Sequence, residues 1–597
     1  MLRECVEIFT EIYNEKGKRF ITDSYELEPG DYFIVKSDGS YRHIKIERTK
    51  KTEENSNRRT IEDYEYLAER DYLSRLLEIN KPIDEGKQIH SNNYLSFFVK
   101  NNVLNEKKKE LEKSIEKYYE VLKNPFLKYD KGEKKKVYIQ LEEKLGKPLE
   151  EKIQKNYEWI KENLYKIKEE IKDGKEYIKV FFDEDIEEYK KENERYIIPN
   201  IYNSVDYNVI IDNETYGLPN NNLNLNSKKP YLENKTRKKK YTVPYLLNEE
   251  EVFEQKKFFD YLYNMSNLGK RNIYISPDKK EIIPSGNRES LSDNFTGYYL
   301  RIKKGKKESE IERYEIISNY KAEFYSEIKI LDCLRSGNKG ELEYGSSISK
   351  ISDLGAVLND FLLDGKLYRI IFEKLKDLKI SDEIMKNIAN QHKETFFELL
   401  YKGEPQKFID NYKEIFLELI KNSLRKKKYV TEAYDMFNLM TSIDDSIKKE
   451  RGMTVNKHQE IKEKFRNIFE TGVGEIENDE DYFFALGQLT KFLISRNKIT
   501  SKNHDLGIRI IDSRDIEGIK MEIYKLLRRY AYDIGFYSTK FNTLYERVLG
   551  YEPESQKINM DRLLGGYLAD SLIYEKSSKE ENEVNNETKE TNGEENE

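Results

Sequence analysis

Strand-forming signals in this chain stop at about residue 350, and from Asp353 onwards every apolar pattern has helical spacing. Leu354, Leu358, Phe361 and Leu362 begin the pattern, and Phe396, Phe397, Leu400, Tyr412, Ile415, Phe416, Leu419 and Ile420 continue it. Apolar residues three and four apart bury one stripe of a helix, whereas a half-buried strand needs strict alternation. The second part is therefore read as all-α. The first part mixes both periods. Leu2, Val6, Phe9 and Ile12 define a helix stopped by Gly17, and β-prone runs over 32–36 and 41–47 flank Asp38-Gly39, a pair suited to a tight hairpin. Further strand-like runs lie at 177–182, 272–276, 297–302 and 324–330, and a helix runs through Val252, Phe258, Phe259 and Leu262. The expected class is α+β. A mixed α/β region covers 1–345, a helical connector 346–428, a helical bundle 429–575 and a disordered acidic tail 576–597.

Five apolar stripes define the bundle. They run through Ile461, Phe465, Ile468 and Phe469; through Tyr482, Leu486, Leu489 and Leu493; through Ile516, Ile519, Ile523, Leu527, Tyr530 and Ile534 after an N-capping Asp515; through Phe541, Leu544, Tyr545 and Val548; and through Met560, Leu563, Leu564, Tyr567 and Leu568. Gly565-Gly566 in the last stripe costs helix propensity but permits close backbone approach. Off the apolar faces lie Lys491 and Arg496 on the second helix and Lys525, Arg528 and Arg529 on the third. Such a stripe suits a nucleic-acid backbone or a solvated face. The Lys/Glu-rich runs 106–124 and 134–172 are read as long, largely solvated helices. Apolar residues make up only 37% of the chain against 36% charged, so much of the burial must fall to the 46 tyrosines.

Residues 216–247 reverse the sign of a chain whose net charge is −7. Lys228, Lys229, Lys235, Arg237, Lys238, Lys239 and Lys240 face one acid, Glu233, while Pro219, Pro230 and Pro244 exclude a long helix or a central strand. A tethered loop follows. Cations displace counterions from phosphates, amides such as Asn220, Asn221 and Asn222 bond base edges, and tyrosines stack on bases; the plain alternative is a solvated basic loop. Whole-chain charge decides nothing here, because the tail from residue 575 holds nine Glu and three Lys and leaves the rest nearly neutral. A second polar run, His90-Ser91-Asn92-Asn93, precedes the apolar Tyr94, Leu95, Phe97, Phe98 and Val99. It is read as an anchored loop, with Ser91, Asn92 and Asn93 as alternative contacts to a backbone or base.

Catalytic patterns are sparse. Cys5 and Cys333 are too far apart in sequence for a zinc ribbon or a disulfide framework, which fits a reducing cytoplasm. No apolar stretch approaches the roughly 20 residues that span a bilayer, and the first residues lack a signal-peptide pattern. The five histidines form no HExxH, and no glycine-rich phosphate loop occurs, so no metal, nucleotide or other cofactor is expected. His504-Asp505 is the core of one metal-dependent phosphohydrolase motif and leaves a nuclease or phosphohydrolase as the rival reading.

Four phrases carry a resemblance: IHSNNYLSFFVK at 89–100, the whole of 216–247 with FFDYL at 258–262, FALGQLTKFLISRNK at 484–498 and MDRLLGGYLADSLIY at 560–574. At these phrases the chain resembles the large subunit of the type I-B CRISPR surveillance complex, Cascade. The similarity spans most of residues 1–575 and is weaker in the middle, where many relatives carry paired cysteines that this chain lacks. The resemblance implies a non-catalytic cytoplasmic subunit of antiviral defence at the 5′ end of CRISPR RNA, touching other Cascade subunits. It would read the protospacer-adjacent motif on target double-stranded DNA, stabilise the R-loop and license the helicase-nuclease. In that role Lys228, Lys229 and 237–240 form the backbone track and Asn220–Asn222 are candidate readers, since guide pairing supplies most sequence specificity. A purely architectural subunit holding only CRISPR RNA is the other alternative. The resemblance also raises a second, shorter product from an internal start, expected at Met453 behind the largely purine-encoded Lys448-Lys449-Glu450-Arg451-Gly452.

Overall fold

The computed structural model describes residues 1–17, 19–47, 61–130, 132–203, 208–212, 214–223, 246–305, 308–334, 341–426, 430–451, 457–496, 505–531, 534 and 539–575. The fold is α+β, as the two periodicities require. Two compact units form, one from 1–287 with 296–318, the other from 288–295 with 319–597.

In the first unit α1 (Leu2–Lys16) buries Leu2, Cys5, Val6, Phe9 and Ile12 and stops at Gly17, whose φ of 74° is a conformation that favours glycine. Strands β1 (Gly30–Val35) and β2 (Tyr41–Ile46) form the expected hairpin, turned at Gly39 with φ 86°. Helix α2 (Tyr64–Ser74) leads to β3 (Ser96–Lys100), and α3 (Lys108–Lys123), α4 (Gly132–Leu145) and α5 (Glu150–Glu169) intervene before β4 (Tyr177–Phe182). The sheet order is β2-β1-β4-β3, with β1 parallel to β4 and the outer pairs antiparallel. The central strands are nearly continuous apolar runs because both of their faces are covered.

The Lys/Glu-rich helices are not largely solvated. α3 buries Leu111, Ile115, Tyr118, Tyr119 and Leu122, and α5 buries Ile153, Ile160, Leu164 and Ile167. Sparse apolar residues at three- and four-residue spacing make a narrow but complete stripe. The second run also breaks in two at Gly146, with φ 77°, ahead of Pro148. Helix α6 (Ile186–Ile197), the short ribbon β5 (Val209–Ile211) with β6 (Glu214–Tyr216), and α7 (Glu249–Asn267) follow. A second sheet, ordered β10-β9-β7-β8, is built from β7 (Asn272–Ser276), β8 (Glu281–Ser285), β9 (Phe295–Lys304) and β10 (Ser309–Tyr320).

The second unit starts with the pair β11 (Glu323–Lys329) and β12 (Ser347–Lys350), and its main helices are α8 (Ile351–Phe361), α9 (Glu383–Phe397), α10 (Gln406–Arg425), α11 (Val430–Glu450), α12 (Lys457–Thr471), α13 (Asp479–Ser495), α14 (Ile516–Tyr530), α15 (Thr539–Gly550) and α16 (Met560–Leu568). The boundaries expected at 346 and 429 are not where the units divide. Side chains of α11 hold the segment between β11 and β12: Ser442 Oγ accepts from Leu331 N–H at 2.9 Å, Asn438 Oδ1 from Cys333 Sγ at 2.8 Å and Asp435 Oδ1 from Tyr344 OH at 2.6 Å. Tyr412 of α10 donates to Asp444 of α11 at 2.7 Å, so connector and bundle are one body.

The expected stripes form the bundle core with one shift: α14 buries Leu526 in place of Leu527, because 516, 519, 523, 526 and 530 keep one helical face, and Phe469, Tyr545 and Met560 are only half-buried. Asp515 caps α14 by accepting from Gly518 N–H at 2.7 Å. Helix α14 ends at Tyr530, short of Ile534. The close approach at Gly565-Gly566 is present, with α16 crossing α13. A Cβ on Gly566 would overlap the Phe484 carbonyl, and one on Gly487 would overlap that of Leu563. Gln488 seals the crossing, donating to Gly566 O at 2.6 Å and Asp570 O at 3.2 Å while accepting from Leu572 N–H at 2.9 Å. The tail 576–597 and Met453 lie outside the described residues.

Candidate nucleic-acid interface

The seven cations Lys228, Lys229, Lys235, Arg237, Lys238, Lys239 and Lys240 fall in 224–245, outside the described residues. The residues that flank 224–245 on either side are within them, and the two flanks are clamped together. Gly217 and Leu247 exchange two backbone hydrogen bonds of 3.0 Å. The Tyr202 hydroxyl bridges the same point, 3.2 Å from Thr215 O and 3.1 Å from Leu247 O. Gly217 must lack a side chain, because a Cβ there would press into the Tyr202 ring. Asn203 N–H donates to Leu218 O at 2.8 Å and Asn220 N–H to Ile201 O at 2.9 Å, strapping the first loop residues to the chain after α6. Leu218, Leu223 and Leu247 are the buried pegs.

This anchoring changes the reading of the asparagines. Asn220 is buried, so it is not a surface reader. Asn221 opens a short 3-10 turn, Asn221–Leu223, and its side chain is outside the description; Asn222 is half-buried and lines a cleft against α2 and α7. Beside the clamp the ribbon β5–β6 presents Val209, Ile210 and Ile211 at 46%, 60% and 50% exposure, with Asp212 at its tip in the left-handed region at φ 50°.

Ser91, Asn92 and Asn93 are corrected from alternative base contacts to interior framework. All three are at most 1% exposed. Asn92 Nδ2 donates to Leu73 O, Arg75 O and Asn193 Oδ1 at 2.8–3.0 Å, satisfying carbonyls at the C-terminal end of α2. Asn93 Oδ1 accepts from Leu95 N–H at 3.0 Å and Ser96 Oγ at 3.1 Å, and Ser91 Oγ pairs with Tyr118 OH at 2.9 Å. His90 is the loop anchor, its Nδ1 2.6 Å from Tyr177 OH.

The basic stripe of the bundle divides. Lys491 is corrected to a helix cap: its Nζ donates to Leu568 O at 3.1 Å and to Ala569 O, at the end of α16. Arg496 packs over the Phe492 and Tyr574 rings, 4.6 and 5.1 Å from their centroids. Lys525, Arg528 and Arg529 stay exposed on α14 beside Met521 and Tyr524, Lys525 pairing with Glu522 at 2.6 Å. His504 and the Asp505 side chain lie outside the description, and among the described residues no group of three His, Cys, Asp or Glu side chains is arranged to hold a metal.

One charged cluster escaped the sequence reading. Asp260 of α7 accepts from Lys256 Nζ at 2.6 Å, from Tyr72 OH at 2.8 Å and from Arg75, just past α2. Tyr25, Tyr72 and Tyr263 surround the Arg75 guanidinium at 5.3–5.8 Å. Burial opposes both cations: it pushes Lys256 below the ordinary lysine value, whereas Asp260 and the tyrosines hold Arg75 above its own. Burial also works against the charge of Asp260, but Arg75 and Lys256 override it and hold the carboxyl below the ordinary range. The readable signal was Lys256 and Asp260 interrupting the apolar stripe of Val252, Phe259 and Tyr263. Nearby, buried Lys179 of β4 bonds both Asp71 oxygens at 2.8 and 2.9 Å, joining the sheet to α2. Among the described residues no helix is long and apolar enough to cross a membrane. Compared with family models, with curated proteins and with solved structures, the chain matches none.

Proposed function

We propose that the chain is the non-catalytic large subunit of a type I-B CRISPR RNA-guided surveillance complex, binding CRISPR RNA and target double-stranded DNA with its partner subunits. In this role it recognises the protospacer-adjacent motif, stabilises the R-loop and licenses the helicase-nuclease. The observation that carries this reading is the clamp at Gly217 and Leu247, which offers a segment of seven cations and one acid from a fixed base. Cations tethered at both ends by a fixed pair of residues neutralise phosphates at a lower ordering cost than cations on a free tail. The aliphatic ribbon beside the clamp supports the same role, because apolar side chains at a duplex wedge between base steps and unstack them. The test is co-expression with the neighbouring genes, purification through a tag on this chain, and binding of guide-matched DNA with and without the adjacent motif. Co-purified CRISPR RNA and motif-dependent DNA binding are expected. Assembly with RNA but no motif dependence would leave an architectural subunit, and metal-dependent cleavage by the isolated chain would favour the His504-Asp505 reading.

A further inference from the structure

The cleft between the end of α2 and α7 holds more hydrogen-bond donors than acceptors. A guanidinium carries five N–H groups and an ammonium three, yet among the described residues Asp260 is the hydrogen-bond partner of both Arg75 and Lys256. Tyr72 occupies the same carboxylate. At the centre of the cleft two cations share one carboxylate, and most of their N–H groups have no hydrogen-bond partner among the described residues. A third donor comes from another element: Ser309, at the start of β10, lines the same cleft, is 3% exposed, and its Oγ has no hydrogen-bond partner among the described residues. Glu308 stands at the rim and its charge opposes an anion there, while burial, Glu78 and Glu310 raise its pKa above the ordinary carboxylate value. The cleft leaves about 30 Å³ open to the centres of water-sized groups, where one water needs about 10–15 Å³, so it has room for a small polyatomic group but not for a nucleobase. Asn222, from the strapped loop, lines it too.

We propose that this cleft binds a single phosphate group, with Arg75, Lys256 and the Ser309 hydroxyl donating to its oxygens. Donors from three separate elements suit a tetrahedral oxyanion better than a planar carboxylate. Asn92, which bonds the Arg75 carbonyl, fixes the backbone from which the guanidinium projects and is a positioning residue. A phosphate of a nucleic-acid strand and a free phosphate ion share this chemistry. The site stands on its own geometry, and only the choice of a strand as the source rests on the function proposed above.

The experiment titrates inorganic phosphate into the full chain by calorimetry, against chloride at equal ionic strength, for the unmodified protein, Lys256→Gln and Ser309→Ala. Lys256→Gln leaves Arg75 and Tyr72 on Asp260, so the buried carboxylate keeps partners, and melting curves check folding. Saturable phosphate binding is expected, weaker by on the order of tenfold in Lys256→Gln and about fivefold in Ser309→Ala. A short 5′-phosphorylated oligonucleotide that displaces the bound phosphate identifies a strand as the source. Phosphate that binds, weakens in both variants and resists the oligonucleotide supports the site with a free anion as its ligand and counts against the nucleic-acid reading of this face. Absence of saturable phosphate binding, or equal binding by the folded variants, overturns the site even if oligonucleotides bind elsewhere on the chain.

Discussion

Single residues carry much of this protein's stability through buried polar contacts. Tyr118, Tyr189 and Tyr32 are buried rings whose hydroxyls each reach a carbonyl at 2.7 Å, so tyrosine serves as a core residue without leaving its oxygen unpaired. His458 is a different case. It is 4% exposed, its Nδ1 has no hydrogen-bond partner among the described residues, and Gly565 and the Phe437 ring pack against it. Burial lowers its pKa below the ordinary imidazole value more strongly than Asp561, 3.5 Å away, raises it. His392 is lowered by burial too. The unfolded chain therefore binds protons that the folded one refuses. Stability is full above the unfolded histidine value of about 6.5 and falls as pH drops below it, by up to about 1.4 kcal/mol per pH unit for each histidine. His458→Gln is expected to flatten the decline of the urea midpoint between pH 6.5 and 5, leaving the smaller slope of His392. An unchanged pH profile would show that His458 is protonated in the folded state.

At the scale of elements, the crossing of α13 and α16 is set by glycines. Gly566→Ala places a methyl group on the Phe484 carbonyl, in a backbone contact that no side-chain rotation relieves. The expected loss is about 1–3 kcal/mol or more, exceeding the helix propensity gained, which is about 1 kcal/mol. Gly550→Ala, at the end of α15 with nothing within 4 Å, should change stability by no more than about 0.5 kcal/mol. Urea denaturation of the two variants makes the comparison, and equal stability would mean that the helices separate freely. The apolar phrase around Gly565-Gly566 announced the crossing. Its counterpart Gly487 was not recognised, because a single glycine inside a helical stripe has no partner visible in one dimension.

For the molecule as a whole, the basic segment dominates the expected electrostatics. Replacing Lys228, Lys229, Lys238, Lys239 and Lys240 with alanine should leave the melting temperature unchanged and weaken DNA binding by the assembled complex. Each lost phosphate contact removes about 0.9 from the slope of log affinity against log salt, so the slope should flatten by as much as about 4.5. Filter binding from low to moderate salt reads both quantities. An unchanged slope would dissociate this segment from the DNA path and leave the exposed Lys525, Arg528 and Arg529 as the remaining cations of the two proposed tracks.

The sequence alone determined the elements. Helical and alternating periods are local, so α1, the β1–β2 hairpin, β4, β7 and most of the bundle stripes were legible from spacing. Tertiary structure decided which polar residues face water. Asn92 and Lys491 look like surface residues in the chain but satisfy helix-end carbonyls inside it, and α3 and α5 sink their thin stripes into the core. It also brought Arg75, Lys256 and Ser309 together from distant stretches. Whether a donor meets a carbonyl, a carboxylate or an open cleft depends on packing between elements far apart in sequence. No local period encodes that.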